Sequence, residues 1–201
     1  GASIVADPQA TVSLVGGNAI AVNPGNIAPA VGDVTVLGSI VAPAGAINVF
    51  GNVSIGSSAM LDVGGVFVPN PLVVQYSTGT VLGGGTITFG GSTVLVRPGA
   101  QFNLQGAAVS AESNLIQLPQ GGFTAGLSGQ AAWSNGGSLQ LVGTDVYFAG
   151  SVNAASGAPL ASGGSLTIGG VAIPSAVASY LSAPFDKLPN AIVIEPGGRV
   201  A

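Results

Sequence analysis

Residues 38–68 read GSIVAPAGAINVFGNVSIGSSAMLDVGGVFV, and this stretch decides the fold. Gly38, Gly45 and Gly51 are each followed two residues later by a branched aliphatic, Ile40, Ile47 and Val53. Ile47 and Val49, Val53 and Ile55, and Leu61 and Val63 alternate with small or polar residues, so each short run turns one apolar face inward, as half-buried strands do. Glycine returns every six or seven residues, where the chain must turn a corner without a Cβ clash. That beat is too short for a β-sandwich, whose turn signals recur about every 8–12 residues. It predicts a parallel β-helix with three short strands per coil, each coil stacked on the next.

The beat recurs downstream. Gly79, Gly85, Gly91 and Gly99 precede Val81, Ile87, Val94 and Phe102, and Gly137, Gly143, Gly150 and Gly157 bracket Leu139, Leu141, Val146, Phe148 and Val152. Three beats make roughly 20 residues per coil, which predicts about nine or ten coils at about 4.8 Å each. The expected arrangement is a single domain over 1–201, with regular coils at 38–68, 79–104 and 137–170. Two excursions interrupt it, at 69–78, opened by Pro69-Asn70-Pro71, and at 105–136, which holds Pro119 and Trp133. Towards the start, strands are expected at Ser3–Ala6, Thr11–Val15, Ala19–Val22 and Val34–Leu37, with a turn at Asn23–Asn26. Residues 171–190 are irregular; Ser175 is placed to cap a short helix, Ala176–Leu181, and Ala191–Glu195 reads as a last strand.

Composition narrows the function classes. Thirty-four glycines and 47% hydrophobic residues accompany only three cations and seven acids. A chain so rich in aliphatics is not disordered, and its glycines lack the three-residue period of collagen. No apolar run is long enough for a transmembrane helix, and strands of about 4–6 residues with few aromatics argue against a membrane barrel. A net charge of −4 with scattered cations excludes the basic stripe that nucleic acid requires. The lone cations Arg97, Lys187 and Arg199 read as solvated or edge-guarding charges. The absence of cysteine removes disulfides and thiolate chemistry, and the absence of histidine removes the usual general base and imidazole metal ligand. No signal peptide opens the sequence, so a processed product or a fragment is expected.

Little remains that could carry catalysis, and no cofactor or metal is expected. The acids are Asp7, Asp33, Asp62, Glu112, Asp145, Asp186 and Glu195; no consecutive two are spaced to stack on adjacent coils. Asp145 and Asp186 lie two coils apart, at the limit of an inverting carboxylate pair. Gly85 to Ser92 mimics a phosphate loop but has glycine in place of the lysine. Asn52-Val53-Ser54 is a glycosylation sequon by pattern only, inside a strand run. Among the aromatics Tyr76, Trp133, Tyr147 and Tyr180, the candidates for a recognition face are Tyr76 and Trp133, because they fall in the two excursions.

The segments SIVAPAGAINV (39–49) and VSIGSSAMLDVGGVFVPNP (53–71) resemble the repeats of filamentous haemagglutinin-type exoproteins. Those repeats run through an apolar strand, "APGG", a second strand, "IG..A.LDVSG" and an aromatic segment. Here Val63-Gly64-Gly65 stands for the serine form, and Phe67-Val68-Pro69-Asn70 for the aromatic one. Gly84 to Thr88, Gly136 to Leu139 and Gly163 to Ile168 resemble the family's "GGSLTL" coil starts, and Val96 to Ala100 resembles its "L..GS.IDVSGG" element. The resemblance implies a right-handed parallel β-helix, exported by two-partner secretion and displayed at a bacterial surface as an adhesin or filament. It carries over no catalytic residue.

The expectation is therefore a non-catalytic structural segment of a bacterial cell-surface or secreted adhesin or extracellular filament. It would self-associate through coil edges and offer its excursions to host or surface glycans. The alternatives are a carbohydrate-binding or carbohydrate-active β-helix, and a β-sandwich filament subunit whose residues 1–22 are donated to a neighbour.

Overall fold

The structure, a computed structural model, describes residues 2–17, 32–71, 78–117 and 123–169. Within them every regular element is a strand. The chain runs through β1 (Ser3–Val5), β2 (Thr11–Val15) and β3 (Asp33–Val36), then through β4 (Ser39–Val41), β5 (Ala46–Phe50) and β6 (Asn52–Ile55). β7 (Met60–Asp62) precedes a hairpin of β8 (Val66–Pro69) and β9 (Gly79–Leu82), and β10 (Thr86–Val96) follows. β11 (Gln101–Asn103) precedes a longer pair, β12 (Ala108–Gln117) and β13 (Phe123–Trp133). β14 (Ser138–Phe148), β15 (Ser151–Asn153) and β16 (Ser165–Ile168) complete the order.

Two sheets carry most of these strands, and all their pairings are parallel. One is ordered β1-β4-β7-β11-β15 and the other β2-β5-β10-β14-β16, with β3 and β6 joining the second through the latter half of β10. The fold is thus all-β and mostly parallel; only β8–β9 and β12–β13 are antiparallel. Ser3–Val5 and Thr11–Val15 pair within their own chain, in parallel, with β4 and β5.

The registers stack like on like. Ile4, Ile40, Leu61, Phe102 and Val152 form one inward column. Val12, Ile47, Ile87, Leu139 and Leu166 form a second, and Leu14, Val49, Phe89, Leu141 and Ile168 a third. Their middle members are 0–2% exposed and belong to one continuous core. At its centre Phe102 meets Phe89 at 5.8 Å, near edge-to-face, and Phe148 at 5.4 Å. β-branched and aromatic side chains fill the inward positions because they pack well on a pleated surface.

Where nothing intervenes, stacked neighbours are 19 residues apart (Asp33 and Asn52) or 21 (Leu37 and Ser58). Elsewhere the separation grows to 41 (Asp62 and Asn103) and 52 (Thr86 and Ser138), because hairpins occupy the difference. For the same reason the first sheet holds five strands among the described residues, where about nine or ten coils were expected from a uniform repeat. Gly79–Leu82 and the Val66–Val68 end of the stretch 38–68, both read as regular coil, instead pair antiparallel with each other as β9 and β8. Alternation marks a strand but is blind to the direction of its partner. The expected strand at Ala19–Val22, the helix at Ala176–Leu181 and the strand at Ala191–Glu195 lie outside the described residues.

Candidate functional site

Among the described residues after residue 38, the long departures from the parallel sheets leave from one corner of the stack. It begins as a turn: in Ala42-Pro43-Ala44-Gly45, Gly45 N donates to Ala42 O at 2.9 Å and Ala44 takes φ 53°. At the equivalent corner one strand further on, Gly85 N donates to Val63 O at 2.7 Å, but residues 64–84 lie between them. Next, Gly137 N donates to Leu104 O at 2.7 Å across residues 105–136, and Gly164 N to Ala154 O at 2.7 Å across residues 155–163. The same hydrogen bond that closes a four-residue turn therefore closes the root of each excursion. The third, 155–163, was read as regular coil in the sequence because Gly157 keeps the glycine beat.

An Asp or Asn marks each exit. Val41 precedes the tight turn, whereas its register partners are Asp62, Asn103 and Asn153. Asp62 Oδ1 accepts from Gly64 N at 2.8 Å, and Asn103 Oδ1 and Asn153 Oδ1 accept from the amides of Gln105 and Ala155, both at 3.3 Å. These are Asx turns, which bend the backbone away from the ladder. Asn103 Nδ2 also donates to Asp62 Oδ1 at 3.0 Å, and Asn153 Nδ2 to Gln105 Oε1 at 3.1 Å, so the three exits are tied to one another. Sequence reading missed this device, although its signal is present: each three-residue strand before an excursion ends in Asp or Asn.

The roots are laced together just outside the corner. Ser134 Oγ accepts from Ala107 N at 2.8 Å and donates to Leu82 O at 3.0 Å, joining the second arm to the first. Gly157 N donates to Ser134 O at 2.9 Å, and Ser162 N to Asn135 Oδ1 at 2.9 Å, joining the third. Beneath them lies an open groove of about 190 Å³ lined by three stacked tripeptides, Gly84-Gly85-Thr86, Gly136-Gly137-Ser138 and Gly163-Gly164-Ser165. It is smaller than the roughly 300–1,000 Å³ of ordinary small-molecule sites.

Trp133 ends β13 beside this root, opposite Ala108, and is 41% exposed. Tyr76, the other candidate recognition residue, lies outside the described residues. Tyr147, an aromatic the sequence did not favour as exposed, stands 62% exposed in register with Leu95.

Among the described residues the acids do not cluster. Asp62 serves the first exit, and Asp33 accepts from Asn52 Nδ2 at 3.0 Å, which also places the sequon asparagine in a strand pairing. Asp33, Asn52, Thr93 and Asp145 fall in one outward column. Asp33 and Asp145 are thus three strands apart, roughly 14 Å at about 4.8 Å per strand and too far for a paired-carboxylate reaction. Asp186 and Glu195 lie outside the described residues, and no cluster of three metal-type side chains occurs within them. Gly85 to Ser92, the phosphate-loop mimic, lies almost wholly in β10 and leads into no helix. No helix among the described residues is long and apolar enough to cross a membrane. Comparison with known protein families, with curated proteins and with solved structures gives no match.

Proposed function

We propose that this chain is a structural segment of a bacterial cell-surface or secreted adhesin or extracellular filament, wound as a right-handed parallel β-helix and without catalytic chemistry of its own. The observation that carries this reading is the pairing of β2, β5, β10, β14 and β16 in unbroken parallel register over a single aliphatic core. Such a ladder satisfies each strand's backbone with its neighbours and makes a stiff shaft. Right-handedness follows from the rule for parallel crossovers. The arms at one flank supply the adhesive surface, since loops on a rigid scaffold carry recognition.

The test is antibody labelling of intact producing cells, together with diffraction from oriented purified material. Labelling without permeabilisation and a reflection near 4.8 Å along the long axis are expected. A protein confined to the cell interior overturns the reading.

A second reading, glycan binding, is favoured by the exposure of Trp133 and Tyr147, since sugars stack on open aromatic faces. Glycan-array binding that disappears in Trp133→Ala would support it. Binding that survives both Trp133→Ala and Tyr147→Ala would count against it.

A further inference from the structure

The inward columns are sealed in the middle, and two of them open at one end each, the first at β1 and the second at β16, while Val152 and Val12 at their other ends are partly buried against the core. In the first column Ile40, Leu61 and Phe102 are at most 2% exposed, but Ile4 is 44% exposed. In the second, Ile47, Ile87 and Leu139 are at most 1% exposed, but Leu166 is 54% exposed. A stacked β core normally ends in a polar cap. Here both ends present aliphatic side chains and unpaired strand edges: among the described residues β1 and β2 pair on one side only, and so do β15 and β16. None of these four strands carries a lysine, arginine or proline to guard its edge.

We propose that the partner for each end is a second copy of this chain, added head to tail so that β15 and β16 of one copy pair in parallel with β1 and β2 of the next. This inference rests on the structural reading above and specifies how the filament grows.

The two ends match in chemistry and in hydrogen-bond phase. Continuing the register would place Ser165, Leu166, Thr167 and Ile168 over Thr11, Val12, Ser13 and Leu14: hydroxyl on hydroxyl, aliphatic on aliphatic. Ser151 and Val152 would meet Ser3 and Ile4, extending the column in which Ser39 Oγ already donates to Ser3 Oγ at 2.8 Å. Gly16 N donates to Phe50 O and Ala10 O accepts from Ala46 N, so even-numbered residues of β2 face β5. The amides of Thr11, Ser13 and Val15 therefore point to the open edge. Ser165 N and Gly169 N donate to Gly137 O and Leu141 O, so the carbonyls of Gly164, Leu166 and Ile168 point to the opposite edge. Within the chain each strand's amide donates to the carbonyl one position earlier on the strand above, as Thr86 N does to Gly45 O. The same rule joins Thr11 N to Gly164 O and Ser13 N to Leu166 O across the junction. The contact is heterologous and does not close, so copies add without limit.

Two blocked variants test this. Ser13→Pro removes one amide from the leading edge, and Leu166→Pro removes one from the trailing edge; neither amide serves a ladder among the described residues. By sedimentation velocity, wild-type mass should grow with concentration, each variant alone should stay monomeric, and an equal mixture should stop at dimers. Because the chain has no cysteine, Ser13→Cys mixed with Thr167→Cys gives a second measurement at exposed positions. Oxidation should yield the mixed dimer and neither homodimer.

Wild type that stays monomeric at high concentration overturns the proposal, as does polymerisation of either proline variant at the wild-type rate. Absence of the mixed disulfide overturns the register. Monomers from a protein that still labels at the cell surface would sink the head-to-tail junction alone and leave the structural reading standing.

Discussion

At the scale of single residues, neighbouring glycines that look equivalent in the sequence have different jobs. In Gly83-Gly84-Gly85, a Cβ on Gly83 would find only Asn135 O, at 3.5 Å, whereas one on Gly85 would collide with the carbonyl of Gly45 in the strand above. Gly83→Ala is therefore expected to be neutral or stabilising by up to about 1 kcal/mol, and Gly85→Ala to cost about 3 kcal/mol or more, as backbone overpacking does. Urea denaturation of the two variants checks the contrast. Phe50 and Gly90 form a related pair, since the Phe50 ring occupies the space a Cβ on Gly90 would need. At the first exit, Asp62→Ala would leave Gly64 N and Asn103 Nδ2 without their acceptor. A loss of about 1–3 kcal/mol is expected, read in the same experiment.

Among the elements, arms and ladder are separable. Each arm returns to the hydrogen bond that would close a short turn, so the ladder does not depend on what lies between. Replacing residues 105–136 with the Pro-Ala pair that links Ala42 to Gly45 is expected to preserve a cooperative melt by circular dichroism. The melting temperature should fall by a few degrees, because the root bonds of Ser134 and Asn135 go with the arm. Loss of the cooperative transition would mean that the arms hold the ladder together. By contrast, Phe102→Ala empties the meeting point of Phe89 and Phe148 and should cost about 3–5 kcal/mol.

For the whole molecule, stability is carried by aliphatic columns and backbone ladders rather than by charge. Three cations and seven acids in 201 residues leave little for salt to screen. The urea midpoint should move little between low and high ionic strength, and a large shift would reveal an electrostatic contribution that the core does not supply. In a proline-blocked, monomeric variant, hydrogen exchange should be slowest in β5, β10 and β14, whose inward residues are sealed, and fastest in β1 and β16, where Ile4 and Leu166 are exposed.

Much of this was legible in the chain itself. The inward set Ile40, Ile47, Val49, Val53, Ile55 and Leu61 follows from alternation, because side-chain direction in a strand is a local property with period two. The excess of aliphatics over charges likewise decides, by composition alone, what kind of force holds the core. Tertiary structure alone decided which strands meet and in which direction: Gly79–Leu82 alternates like its neighbours yet turns back on β8. It also decided that the excursions share one corner, that Asp62, Asn103 and Asn153 stack as their exits, and that Asp33 and Asp145 stay apart. These are long-range facts, set by register between strands 40 or more residues apart, and a local period carries no information about register at that distance.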